Sequence, residues 1–337
     1  MKLRYYVIRR LLLMILVLVG LSIVTFVLSH IVPGDPVRLA AGPRATGEQI
    51  RRLAEQFGMD KPLPIQYLNY MKGVLRGDLG RSLNTRRPVA DDLRLYFPAT
   101  FELTIVSVLV GIVIGVPLAM AAAVFKDRWP DQFSRVFALS SISMPVFWLA
   151  MVLQMTLAMN LDLLPVSKRF DPRVQFPDHV TGMLLVDSLL ARDLEKFGIA
   201  ARHIALPAFC EAVSTIAVIT RVLRSDIIEV MQRDFVMVLR ASGLPERVIL
   251  LKYVLKNALI ATLAMLGMLI GWQLGGSVMI ETVFDWPGIG LYAVKSAMTL
   301  DFQPIMGITL FVGLLFTMIN LLVDISYGVM DPRIRYG

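Results

Sequence analysis

Apolar residues run in long blocks along this chain instead of alternating with polar ones. A helix that crosses a hydrocarbon layer about 30 Å thick needs roughly 20 mostly apolar residues. Six stretches meet that requirement: 11–29, 100–124, 136–160, 204–220, 257–280 and 305–329. The fourth is the weakest, being short and interrupted by Pro207 and Glu211. The pattern predicts an all-α polytopic membrane protein with six transmembrane helices. It divides into a tail and first span (1–30), a large loop (31–98) and a transmembrane domain (99–337) that carries the polar loop 221–256.

The polar segments have helical patterning of their own. Thr46 followed by Gln49 fits a capping box, and the helix it opens reads "EQIRRLAEQF" and stops at Gly58. A second helix fits "PIQYLNYMKGVLR", with Ile65, Leu68, Met71 and Leu75 on one stripe and Gly77 closing it. "MLLVDSLL" at 183–190 is too short to span and reads as an interfacial helix. In 221–256, Ile228, Met231, Phe235 and Val238 recur at helical spacing, with Asp226, Glu229, Arg233 and Arg240 on another face. Gly243 suits the left-handed position past a helix end, and Pro245 the first turn of the next helix. The loop is therefore helix, tight corner, helix. It is either a solvated connector or a docking knob for a soluble partner, and the pattern leaves both open.

Composition agrees with the membrane reading. Of 337 residues, 56% are hydrophobic and 18% charged, against about 25% charged in soluble proteins. The net charge of +8 needs no nucleic acid, since basic residues collect on cytoplasmic loops; no nucleic-acid-binding motif is present. Lys2, Arg4, Arg9 and Arg10 precede the first span, and Lys126, Arg128 and Arg135 follow the second. Arg221, Arg224, Arg233, Arg240, Arg247, Lys252 and Lys256 follow the fourth, and Arg333 and Arg335 close the chain. Six crossings put all four groups on one side, the cytoplasm, with both termini inside. Without the fourth crossing, 221–256 would fall outside. The loop 31–98 is also basic and runs against the rule, which binds long loops weakly. The N-terminal apolar run is too long for a cleaved signal and reads as a retained span.

Candidate chemistry is sparse. Cys210 is the single cysteine, so neither an intrachain disulfide nor a cysteine metal site is expected. His30, His179 and His203 lack metal-ligand spacing. No GxxxxGK[ST] loop is present, so any ATP-driven motor of that type is another chain. Ionisable residues inside spans are costly and mark function by default. Glu211 is the clearest, either facing a water-filled path and attracting a cationic group, or hydrogen-bonded to a neighbouring helix, or protonated. Gln154 and Gln273 either line a path or join helices. Asp324 and Asn320, near the end of the last span, suit a structural pairing with a basic residue. In "VFDWPGIG" (283–290), Trp286 suits an interfacial anchor, Pro287 and Gly288 a turn, and Gly290 close packing. No internal repeat of the kind expected in a secondary transporter is visible, nor a catalytic pair at one depth.

Nine stretches in order carry a resemblance: "HIVPGDP" (30–36), "GDLGRSL" (77–83), "FPATFEL" (97–103), "SMPVFWLAMVL" (143–153), "LPVSKRFD" (164–171), "TGMLLVD" (181–187), "HIALPA" (203–208), "ETVFDWPGIG" (281–290) and "GVMDPRIR" (328–335). From end to end the chain resembles the B-type permease subunit of bacterial dipeptide/oligopeptide ABC importers. That resemblance implies a type I importer permease fold in the bacterial cytoplasmic (inner) membrane, with a periplasmic loop after the first span. It implies a heterodimer with a second, homologous permease subunit, two ATPase subunits inside that bind ATP and Mg, and a periplasmic or extracellular solute-binding protein. The chain itself would bind no cofactor and catalyse no reaction. Relatives of this kind also carry nickel, glutathione or antimicrobial peptides.

The resemblance makes the corner Arg240, Ala241, Ser242, Gly243, Leu244, Pro245 and Arg247 the ATPase-coupling loop. Gly243 matches the glycine of the family's E-A-A, three residues, Gly pattern, whereas Met237, Val238 and Leu239 stand at the E-A-A positions. Lys168 stands in "LPVSKRFD" where the family has Gly, and Glu211 where it has an apolar or small residue.

Overall fold

A computed structural model describes residues 3–31, 36–41, 45–58, 60–178 and 180–330. Lys2, residues 32–35, His179 and the 331–337 tail with Arg333 and Arg335 lie outside them. The described residues are helical, and their one β feature is an isolated bridge between Arg81 and Pro88.

Helix α1 (Leu3–Ile31) is followed by short α2 (Pro36–Ala41), α3 (Gly47–Phe57) and α4 (Leu63–Val74). In α3 both arms of the capping box form: Thr46 N–H donates to Gln49 Oε1 (2.9 Å) and Gln49 N–H to Thr46 Oγ1 (3.4 Å), while Gly58 turns left-handed at φ 67°. Of the predicted stripe on α4, only Met71 lies on the face that packs. Ile65, Leu68 and Leu75 are exposed, whereas Tyr67, Tyr70, Met71 and Val74 pack with Phe26 of α1.

The bundle then runs through α5 (Val89–Val124), α6 (Trp129–Ser143) and α7 (Val146–Leu153), which continues as a π-helical turn (Gln154–Asn160). The predicted single span 136–160 is thus two pieces bent by 104°. Pro145 is the cause: it drives Met144 into extended backbone (φ −88°, ψ 127°). Next come α8 (Leu184–Leu190), α9 (Leu194–Met231), α10 (Asp234–Ala241) and α11 (Glu246–Val248), the last leading by a π-helical turn (Ile249–Val254) into α12 (Leu255–Gly276). Helices α13 (Val278–Val283), α14 (Ile289–Met298) and α15 (Phe302–Met330) complete the chain.

Among the described residues, four helices are long and apolar enough to cross a membrane, or up to six if each bent pair is one span. The stretch that looked weakest lies in the longest helix. The 38 residues of α9 reach roughly 57 Å at 1.5 Å per residue. The most apolar window of α9 is 72% buried, against 11% for α1, so α9 is the centre and α1 the edge. A central helix needs a smaller apolar excess because protein, not lipid, surrounds it.

Two apolar cores stack along α9. One gathers Leu206, Ala208 and Cys210 with Leu103 of α5, Ile280 of α13 and Phe284. The other gathers Ile219, Leu223 and Ile227 with Val108 of α5, Val236 of α10 and Val254. Small residues let α5 and α9 approach closely. A Cβ on Gly111 would sit 2.5 Å from Thr215 Cγ2, and one on Gly115 3.1 Å from Ile219 Cβ. This small-xxx-small spacing favours helix association in lipid. At the edge, Arg10 of α1 pairs with Asp324 of α15 at 2.8 Å, the structural pairing expected of Asp324.

Candidate functional site

One end of α9 builds the corner. The helix breaks at Gln232 and α10 restarts at Asp234, which shifts the helical phase. Val236 therefore becomes the buried anchor, with Phe235 and Leu239 beside it. Val238, expected on the inner stripe, is 63% exposed beside Met237 at 69%. Two adjacent apolar side chains consequently project from α10.

The corner itself is tightly made. Ala241 ends α10, and Ser242 Oγ donates to the Val238 carbonyl (2.9 Å). Gly243 adopts φ 77°, a conformation that disfavours any Cβ. Its N–H donates to the Arg240 carbonyl (3.0 Å), and that of Leu244 to the Leu239 carbonyl (3.3 Å). The Leu244 side chain packs on the core. Pro245 then opens α11, its carbonyl accepting from Val248 (2.9 Å) and Ile249 (3.2 Å). Arg240 donates through Nε to Glu246 Oε1 (2.6 Å), closing the corner from outside and holding its guanidinium above the usual range. Arg247 is exposed.

Upstream of the corner, α9 is tied to α6 by a carboxylate that patterning missed. Asp131 of α6 is fully buried and accepts from Arg224 of α9 (2.7 Å), from Arg135 (2.7 Å) and from the Asp127 amide (2.9 Å). This joins the start of α6 to α9 at Arg224, about two turns before the break at Gln232.

Midway along α9, Glu211 and Gln273 come together and Gln154 does not. Gln273 is buried on α12; its Nε2 donates to Thr215 Oγ1 (2.8 Å) and the Glu211 carbonyl (3.4 Å), and its Oε1 accepts from Ser107 (3.4 Å). Gln273 thus joins α5, α9 and α12 as well as lining a cavity with Glu211, Ser214 and Trp272. Gln154 donates to the carbonyls of Val166 (2.8 Å) and Val283 (3.2 Å), tying the π-helical turn to a loop and to the end of α13.

The other end of α9 carries a loop platform. Arg169 and Glu102 form an ion pair at 2.5 Å with exposures of only 12% and 4%. Arg169 also donates to the Gly182 carbonyl (2.6 Å), and Glu102 accepts from the Leu185 amide (2.7 Å). Trp286 is fully buried, not an interfacial anchor: its indole N–H donates to the Ala99 carbonyl (2.9 Å), and the Arg169 guanidinium lies 5.8 Å from its ring centre. Glu281 accepts from Thr100 (2.7 Å), Ser277 (2.9 Å) and the Leu291 amide (2.9 Å). Gly290 does allow close packing, since a Cβ there would lie 2.7 Å from Val278 Cα. Helix α8 packs on α9 through buried Leu184 and Ser188. Asp187 accepts from the Thr181 hydroxyl (2.7 Å) and the Gly182 amide (3.0 Å).

Lys168 takes the glycine conformation, φ 69°. The platform needs it: its N–H donates to the Phe284 carbonyl (2.8 Å), and its carbonyl meets His203 Nδ1 (3.2 Å). His30 contacts the Phe26 carbonyl (2.7 Å) and Gln66 (3.2 Å). No His, Cys, Asp or Glu cluster suited to a metal occurs among the described residues.

Comparison with known proteins matches this arrangement along its length. Residues 115–336 match the family described as binding-protein-dependent transport system inner membrane component. Residues 3–104 match its N-terminal companion. The chain is 41% identical to a probable D,D-dipeptide transport system permease protein of Escherichia coli (strain K12), covering 96% of this chain and 95% of that one. It is 38% identical to a dipeptide transport system permease protein of Alkalihalophilus pseudofirmus, over 98% and 99%. A glutathione transport system permease protein of Escherichia coli O6:H1 is 36% identical, over 98% and 99%. With its polytopic helical bundle and full-length likeness, the chain belongs to the binding-protein-dependent transport system inner membrane components, the permease subunits of bacterial ABC importers.

Proposed function

We propose that this chain forms half of the path by which an ATP-driven importer carries dipeptides or oligopeptides across the bacterial cytoplasmic membrane. Both termini and the 221–256 segment face the cytoplasm. A second, homologous permease subunit completes the path. Two ATPase subunits hold ATP and Mg, and a periplasmic or extracellular solute-binding protein delivers the peptide. Hydrolysis belongs to the partners; this chain binds no cofactor and transmits motion. The glutathione permease likeness keeps that amine-bearing tripeptide as the alternative cargo.

The observation that carries the reading is the rigid corner at Gly243 with Met237 and Val238 projecting beside it. Apolar side chains on a polar end of the bundle suit a groove on a soluble partner. Because α10 packs through Val236 on the core that α9 and α5 share, displacement of the corner would tilt the central helices. ATP shifts the bundle only as far as the motor pair binds one state better than the other.

The test uses the complete importer in liposomes. Peptide uptake should require ATP, both ATPases and the binding protein. Arg240→Glu sets two carboxylates against each other across the corner, and Gly243→Pro cannot adopt φ 77°. Both should leave ATP hydrolysis running while uptake falls about tenfold or more. Uptake by this chain alone, or normal uptake by both variants, would refute the reading.

A further inference from the structure

The least explained charge in the bundle is Glu211. It is only 5% exposed, and neither carboxylate oxygen has a hydrogen-bond partner. By contrast, Glu281 holds Thr100, Ser277 and the Leu291 amide, and Asp131 holds two arginines. A buried carboxylate with no partner is costly, so it persists where something transient satisfies it.

Glu211 lines a cavity of about 290 Å³ together with Val146, Phe147, Ser214, Trp272 and Met279. The arrangement is graded by depth. Glu211 is at the buried end, while Phe147 (40%), Met279 (58%) and Trp272 (74%) are the exposed members. The Gln273 amide is committed to Thr215 and the Glu211 carbonyl, and Ser214 Oγ to the Glu211 carbonyl at 3.1 Å. The side-chain amide and hydroxyl donors of the lining are thus already engaged. Aromatic faces attract cations, so rim and base select the same charge.

We propose that this cavity is an ammonium-recognition subsite on the path, taking the free amino group of a passing peptide. The proposal rests on the peptide-import reading and adds to it a specificity-determining residue, Glu211. A small mobile cation suits the geometry better than a basic side chain of the second permease, because the carboxylate lies at the base of open volume and not at its rim. The ammonium would donate to the Glu211 carboxylate as it passes between Trp272 and Phe147. An N-blocked peptide would leave the carboxylate unsatisfied and be disfavoured.

The test uses the complete importer with Met279→Cys at the cavity mouth as a maleimide reporter; the native Cys210 is fully buried. Dialanine should slow labelling about tenfold, the scale of one charge-assisted hydrogen bond, and N-acetyl-dialanine should not. Glu211→Gln should abolish the slowing, and Glu211→Asp, which keeps the charge, should retain part of it. Dialanine uptake should fall about tenfold in Glu211→Gln. Equal protection by both peptides, or equal protection in wild type and Glu211→Gln, overturns the proposal. So does release of the second permease by Glu211→Gln with protection unchanged, which would assign the carboxylate to a partner cation. A wild-type importer that takes up no peptide would instead overturn the peptide reading, and the labelling result would still decide the subsite.

Discussion

Replacing Gly111 by Ala probes how the central helices are held together. In an open helix the change stabilises by about 1 kcal/mol, because Ala restricts the unfolded chain and favours the helix. At Gly111 the new Cβ would meet Thr215 Cγ2 at 2.5 Å and Thr215 Cβ at 2.9 Å. Carbon atoms rest near 3.5–4.0 Å, so α5 and α9 must part by about 1 Å or Thr215 must turn. Overpacking of this size costs about 1–3 kcal/mol. Turning Thr215 also loses its bond to Gln273, about 1 kcal/mol more. Set against the helix gain, the net is a destabilisation of about 1–3 kcal/mol. Thermal unfolding of the purified importer should show a lower apparent Tm for Gly111→Ala. Thr215→Ser removes Cγ2 and keeps the hydroxyl, so the double variant should recover part of the loss. Gly198→Ala on α9 has nothing within 4 Å and should gain about 1 kcal/mol. If Gly111→Ala matched Gly198→Ala, the close approach of α5 and α9 would be wrong.

Three further outcomes follow from the loop platform. Glu102→Ala strands the Arg169 guanidinium at 12% exposure, a loss of about 3–5 kcal/mol, visible as rapid proteolysis in 161–183. Lys168→Gly relieves a left-handed conformation and should stabilise by about 1 kcal/mol in thermal unfolding. Burial raises the pKa of Asp187, yet donors from Thr181 and Gly182 outweigh it and hold the carboxyl below the usual range. Its contribution is thus complete above about pH 4, the unfolded value, and is lost as pH falls through the lower folded value. Proteolysis of 175–195 should quicken in that acid window, and Asp187→Asn should flatten the dependence.

Much was legible without coordinates, for reasons local to the chain. The capping box at Thr46 and the corner at Gly243 and Pro245 depend on neighbours a few residues away, and both form where patterning puts them. The apolar blocks are equally local, and they locate the long helices. Phase was harder. Val238 fell out of register because a two-residue break between α9 and α10 resets the helical angle, and patterning carried one period through it. The exposed Ile65, Leu68 and Leu75 of α4 reflect a choice between two apolar faces, made by what α1 and α15 offer.

The sequence by itself determined the class of molecule: an apolar, basic, helical chain with one built corner and no GxxxxGK[ST] loop. Its motifs even contained the key charges, with Glu102 in "FPATFEL", Arg169 in "LPVSKRFD" and Glu281 in "ETVFDWPGIG". Only the tertiary structure decided which of them meet. Glu102 and Arg169 are 67 residues apart, and a partner chosen across that separation leaves no period or spacing to read. The same holds for Glu211. Its charge within an apolar run marked it, but only the packing of α7, α9, α12 and α13 around one cavity distinguishes it from the satisfied carboxylates nearby.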